Sequence, residues 1–236
     1  MRVGMSSVND LVLVQGMADT KLALRRWNDH PWRMLRPWAT LSLFIACGLL
    51  AAVYVVAKLS TPDLTRYAIP GYNSDATFHD YLAVLYRNSL VLALHAMACV
   101  AGFMAGSSLP LAASHRTGIS RWVHEKAGPL AIGFVICATT FSLCTQAYAL
   151  GHSASTIAFH MGTSPGRLLV ALMPHAVPEL TALFLPLAAW VVASRRGDWH
   201  KLLAATVVTV GLAVPVLMAA CLVEVYVTPR VILTLV

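Results

Sequence analysis

A chain of 236 residues that is 58% apolar and only 11% charged, with a mean hydropathy of +0.70, does not have the surface of a water-soluble domain. Soluble domains carry roughly 25% charged residues, so the deficit implies a surface that faces lipid. The net charge of +7 is read as a topology signal and a leaflet contact rather than as a site for acidic substrates. No apolar run followed by a small-residue cleavage site opens the chain, so no cleaved signal peptide is expected. Cys47, Cys99, Cys137, Cys144 and Cys221 all fall in apolar segments without CxxC spacing, and read as small buried hydrophobes.

Residues 1–37 are too polar to span and form a basic leader. Leu11, Val14, Met17 and Leu22 recur near helical spacing, with Asn9 or Asp10 available as N-cap, which predicts a short amphipathic cytosolic or interfacial helix. It runs into RRWNDHPWRMLRPW, where Arg25, Arg26, Arg33 and Arg36 alternate with Trp27, Trp32 and Trp38, a mixture suited to the headgroup layer of an anionic leaflet. Because this patch abuts a span directly, no nucleic-acid partner is expected.

Residues 38–236 form the transmembrane domain, an all-α bundle. Five spans are predicted, at about 40–59, 88–107, 127–150, 168–194 and 202–226, each meeting the roughly 20-residue requirement of the hydrocarbon core. Of the 17 Lys and Arg residues, those in the leader, in the 108–126 loop (Arg116, Arg121, Lys126) and in the 195–201 turn (Arg195, Arg196, Lys201) fall on one side. Lys58, Arg66, Arg87, Arg167 and Arg230 fall on the other. The positive-inside rule then predicts a plasma (inner) membrane protein with its N-terminus cytoplasmic and its C-terminus outside. The 60–87 loop, with Asp63, Asp75 and Asp80, is the longest exterior segment and a candidate cap, and the 151–167 loop is rich in Ser, Thr and Gly. His79, His152 and His160 outside, and His115, His124 and His200 inside, read as solvated loop histidines. No inverted repeat is visible, and an odd number of spans disfavours two equal inverted halves.

The fourth span, LLVALMPHAVPELTALFLPLAAWVVAS, carries His175 and Glu179 within an apolar run. An ionisable group at such depth is expected to face the bundle interior with a partner, and spacing i, i+4 sets these two on one face. Pro174 and Pro178 flank the pair, removing donors and predicting a helix kink there. At 1.5 Å per residue, His175 and His95 lie about 10 Å from the outer boundary, Glu179 about 16 Å, Gln146 about 6 Å and Glu224 about 3 Å. With Asn88 they form a candidate outer-half polar cluster. His95 shares a face with Gly102 and Gly106, a small-residue seam, and Thr139, Ser142 and Gln146 form a polar stripe on the third span.

Three readings fit the cluster. The groups hydrogen-bond to one another and set helix register; or His95, His175, Glu179 and Glu224 hold a metal, zinc being the ion this donor set accepts, or move a proton, with His175, Glu179 and Glu224 as candidate catalytic groups; or they line a transport path. The spacing HxxxE is far less specific than HExxH and does not establish a hydrolase. The estimated depths spread over about 13 Å, wider than one compact ligand shell, so no cofactor is expected.

MPHAVPELTALFLPLAAW resembles the signature of the stage II sporulation protein M family, a Pro-His-Gly-x-x-Glu-like stretch in the penultimate span. AACLVEVYVTPRV resembles the family's terminal pattern, and RNSLVLALHAMACVAGFMAG its Asn-led, glycine-rich earlier span. The resemblance covers roughly residues 85 to 232, and carries the family's polar marks onto Asn88, Pro174, His175, Glu179 and Glu224. Ala176 stands where the family places glycine. The resemblance implies a multi-helix membrane scaffold or complex subunit without established catalytic activity. Its partners would be envelope hydrolases, ATPases or exporters, including peptide-maturation systems, and it is open to homo-oligomerisation.

Overall fold

The computed structural model describes residues 6–114 and 117–235. His115 and Arg116 lie outside the described residues, as do the side chains of Leu11, Val14 and His124. The chain is an all-α membrane protein, with no strand among the described residues beyond one isolated bridge between Pro70 and Ser74. Its elements are α1 (Ser6–Asp29), α2 (Pro31–Leu59), α3 (Phe78–Phe103), a π turn (Met104–Ser108), α4 (Leu109–Ser114), α5 (Gly118–His160), α6 (Pro165–Leu183) and α7 (Leu185–Arg196). A 3₁₀ turn (Trp199–Lys201), α8 (Leu202–Leu222), a second π turn (Val223–Val227) and α9 (Thr228–Leu235) complete it. Among the described residues, four helical stretches are long and apolar enough to cross a membrane, and a fifth is reached if α6 and α7 are one broken span.

Proline explains most of the boundaries. Pro31 at the first position of α2 and Pro165 at that of α6 use the one place where a missing N–H costs nothing. Ser164 caps α6 by accepting from the Arg167 N–H at 3.3 Å. Both π turns precede a proline by one residue. Leu109 N–H bonds back to the Met104 carbonyl ahead of Pro110, and Thr228 N–H to the Val223 carbonyl ahead of Pro229. A proline ring crowds the carbonyl four residues back, and widening the turn relieves that contact while keeping a bond for the residue before it.

Several boundaries differ from the sequence-based expectation. The 108–126 region is largely α4 and the start of α5, and the expected 151–167 loop is helical as far as His160. GHSASTIAFH reads as polar loop because its hydroxyls and imidazoles carry no apolar period. These groups instead form a helical face that binds the 60–67 segment. Ser155 donates to the Ser60 carbonyl at 3.0 Å, Thr156 accepts from the Asp63 N–H at 3.2 Å, and Ser153 meets the Tyr67 hydroxyl at 3.3 Å. Thus His152 and His160 are helix residues rather than loop residues. Arg87 lies within α3, and α1 begins before Asn9, so neither Asn9 nor Asp10 is its cap. The interruption of the fourth span falls at Phe184, while Pro174 and Pro178 lie inside a continuous α6. Pro186 accounts for the position, since it disfavours helix at Leu185 unless a new first turn begins there.

The helices belong to two compact units, each drawing on three stretches of chain. The first comprises Met1–Thr40, Ala93–Ala138 and Leu185–Gly211, and the second Leu41–Leu92, Thr139–Phe184 and Leu212–Val236. In the first, Trp38, Leu185, Ala189 and Ala205 form a core joined by Trp27 and Met34. Cys99 is buried and donates to the Pro186 carbonyl at 3.1 Å. Gly102 and Gly106 admit indoles: a Cβ at Gly102 would lie 2.6 Å from Trp190 Nε1, and one at Gly106 2.3 Å from the Trp199 ring. Met17 and Leu22 of α1 stay exposed. In the second unit, Ala57, Ala154, Ala158, Leu168, Ala171 and Ile232 form one core, and Tyr81, Cys221 and Val225 another. Gly151 sets α5 against α2, its absent Cβ leaving room for Val56 at 2.6 Å. Against expectation, Cys47, Cys137 and Cys144 are exposed, on helical faces turned away from the cores described above.

Gly106→Ala is expected to destabilise the protein by about 1–3 kcal/mol, because a Cβ there overlaps a bulky indole rather than the tip of a flexible chain. Gly133, with nothing near its missing Cβ, is the control position, and its alanine variant should not lose stability. Thermal unfolding in detergent checks both, and equal melting of the two variants would contradict the seam.

Candidate functional site

The second unit holds a partly open chamber of ≈390 Å³ whose walls are mostly aliphatic, with Leu49, Val53, Leu168 and Leu172 among them. Into it project His175 and Glu179 from α6, Glu224 from the second π turn and Thr228 from the start of α9, while Ile69 and Pro70 close it from the 60–77 segment. Helical spacing sets His175 and Glu179 one turn apart on a single face. The wide turn at 223–227 sets Glu224 and Thr228 on the wall across from them, where α6 packs on the π turn and on α9.

His175 is buried, and its Nδ1 shares a 2.8 Å hydrogen bond with Thr228 Oγ1. Its partner is therefore this hydroxyl, which the sequence does not single out because Thr228, just before Pro229, looks like a helix end. Glu179 is held differently. Asn88 of α3 interacts with its carboxylate and donates to Cys221 Sγ at 3.7 Å, while Glu179 Oε2 is buried with no hydrogen-bond partner among the described residues. Glu224 lies within electrostatic range of Glu179, and Arg87 of Glu224. A buried carboxylate oxygen without a donor is costly, so this corner of the chamber suits a guest that brings one.

Of the residues singled out from the sequence, Asn88, His175, Glu179 and Glu224 meet around this chamber. His95 is buried in the first unit and is not part of it. Gln146 sits in the second unit, but its amide donates to Ser142 Oγ at 3.0 Å along its own helix. Depth along a span does not fix the direction of a side chain around it, which is why these two read as members of the cluster. Among the described residues, no three His, Cys, Asp or Glu side chains converge in a way that would hold a metal ion. Arg87, within electrostatic range of Glu224, reads in the sequence as a loop residue beside the second span.

The chamber wall formed by the 60–77 segment hangs on Asp63. Its carboxylate accepts from the Thr65 N–H at 2.8 Å and contacts His152 Nε2 at 3.2 Å, and its own carbonyl meets His160 Nε2 at 3.2 Å. The Thr65 backbone bond first, and the contact with His152 to a smaller degree, hold the Asp63 carboxyl below its ordinary value of 3.8. A depressed carboxylate favours the clasp above its unfolded pKa and loses that contribution as pH falls through the folded value. Hydrogen exchange, corrected for intrinsic rates, should therefore show the 63–67 amides losing protection below pH 3.8. Asp63→Asn should show reduced protection already at neutral pH and no acid step. Protection that ignores both changes would rule out the clasp.

Comparison with protein-family models, with curated proteins and with solved structures finds no match, so the functional reading rests on the chamber's own chemistry.

Proposed function

We propose that this protein is a membrane scaffold or complex subunit of the kind the stage II sporulation protein M resemblance implies, acting with a cell-envelope, export or maturation partner. The observation that carries the reading is Glu179 Oε2, buried without a donor at the edge of a largely apolar chamber. A partner segment or ligand with an aliphatic body and one hydrogen-bond donor would fill the volume and satisfy that oxygen. Orientation belongs to the same proposal: the basic leader, the 108–126 segment and the 195–201 turn lie on the cytoplasmic side, and the C-terminus lies outside.

A second reading has its own support. His175 and two carboxylates line one cavity, the residue types used for acid–base work, so a membrane-embedded hydrolase or maturation enzyme stays in view. A purified chain that by itself turns over a peptide, lipid or cell-wall substrate would replace the scaffold reading with this one.

Two measurements test the proposal. Single cysteines introduced at Thr163 and Gly197 on a cysteine-free background should label from opposite faces of the membrane, and labelling of both from one face would refute the orientation. Mild-detergent purification from the native membrane should recover a partner in stoichiometric amount. Glu179→Ala, which removes the unsatisfied oxygen, should reduce that recovery by about tenfold, equivalent to one hydrogen bond, without lowering thermal stability. Undiminished recovery with Glu179→Ala would place the partner elsewhere.

A further inference from the structure

The first unit carries a second concavity with the opposite chemistry. The break between α1 and α2 at His30, forced by Pro31, folds the two basic segments of the leader toward each other, and the α7–α8 turn closes the third side. The result is a recess of ≈260 Å³ lined by Arg26, Arg33, Arg196 and Lys201. Asp198 is the acidic member of the lining, and its carboxylate is already held by Lys201 Nζ at 2.8 Å. Arg26, Arg33 and Arg196 are exposed at the rim, so the mouth carries an excess of three guanidinium charges.

The floor differs from the rim. Trp38 is buried, and Trp27 stands edge-on to it with ring centroids 5.3 Å apart and planes at 88°. This pair packs on Ala189 and Ala205, giving the recess an ordered aromatic base. Guanidinium groups bind phosphate oxygens through paired N–H donors, and indoles favour the membrane–water boundary. Directly beyond Trp38 the apolar run of α2 begins, so a molecule whose phosphate sat in the recess would have hydrocarbon alongside it.

We propose that this recess is a binding site for a phosphate group, supplied by the headgroup of an anionic phospholipid. The site uses three arginines from two parts of the sequence that only the fold brings together, and it is separate from the chamber of the second unit. Basic pockets beside membrane helices take anionic headgroups through this chemistry.

The test uses the full-length protein in phosphatidylcholine nanodiscs doped with phosphatidylglycerol, with retained lipid read by native mass spectrometry. The wild type should retain phosphatidylglycerol over phosphatidylcholine, and the double variant Arg33→Gln/Arg196→Gln should lower that retention about tenfold or more. Arg33→Lys/Arg196→Lys, which keeps charge without the fork, should fall between them, and Arg230→Gln in the second unit should match the wild type. In undoped nanodiscs, inorganic phosphate that binds saturably to the wild type but not to the double glutamine variant would keep the phosphate site and assign its source to free anion. Retention of phosphatidylglycerol equal in the wild type and the glutamine variant, with no phosphate binding, would overturn the proposal.

Discussion

In hydrocarbon, a backbone N–H or C=O without a partner costs several kcal/mol, and this chain repeatedly removes donors by placing proline in its apolar helices. Local repairs accompany several of these prolines. At the Phe184 break, the Phe184 N–H reaches back to the Leu180 and Ala182 carbonyls, and the buried Ser42 hydroxyl donates to the Thr181 carbonyl. Two residues on, the Pro186 carbonyl takes the Cys99 thiol. Ahead of Pro110 and Pro229 the repair is a widened turn. Small polar side chains such as Ser42 and Cys99 are thus part of the backbone's satisfaction, although in the sequence they look like minor residues of an apolar run.

The same constraint shapes the chamber. Glu224 sits in the widened turn before Pro229, and Thr228 closes that turn and meets His175. The polar corner is therefore assembled by a backbone irregularity, and irregular turns in membrane helices recur where side chains must be re-aimed at a cavity. The two concavities divide their chemistry between units: acidic and hydrogen-bonding in an aliphatic setting in one, cationic over indoles in the other.

Much of the architecture is legible in the sequence alone. Apolar runs of about 20 residues mark the spans because hydrocarbon thickness sets their length, and the all-α bundle is a consequence of backbone satisfaction in lipid. Asn88, His175, Glu179 and Glu224 stand out because ionisable or amide groups in such runs need a reason. Other features are hidden. The 151–160 stretch is helical because it pairs with the backbone of 60–67, a tertiary contact that no periodicity records. Thr228 and Arg87 reach the site from positions that look like helix ends. His95 and Gln146 share depth with the cluster but not direction, and depth is what a linear reading measures. For the break at Phe184, Pro186 carries the signal at the start of a new helix, while Pro174 and Pro178 lie inside α6.

The widened turn at 223–227 also governs how the end of the chain is counted. Ala213, Leu217, Cys221, Val225 and Pro229 are all buried, at intervals of four. On a regular α-helix each such interval overshoots a full turn by about 40°, so five positions would wind roughly halfway round the axis. The extra residue in the wide turn slows that rotation and returns Val225 and Pro229 toward the face of Leu217. If the same residues wound as regular helix, without the wide turn, Thr228 and Ile232 would swing about 100° away from His175 and Leu168. The wide turn is therefore what keeps Thr228 and Ile232 on the face of His175 and Leu168, and its conversion to regular helix at constant length would damage the chamber more than most substitutions along the same stretch.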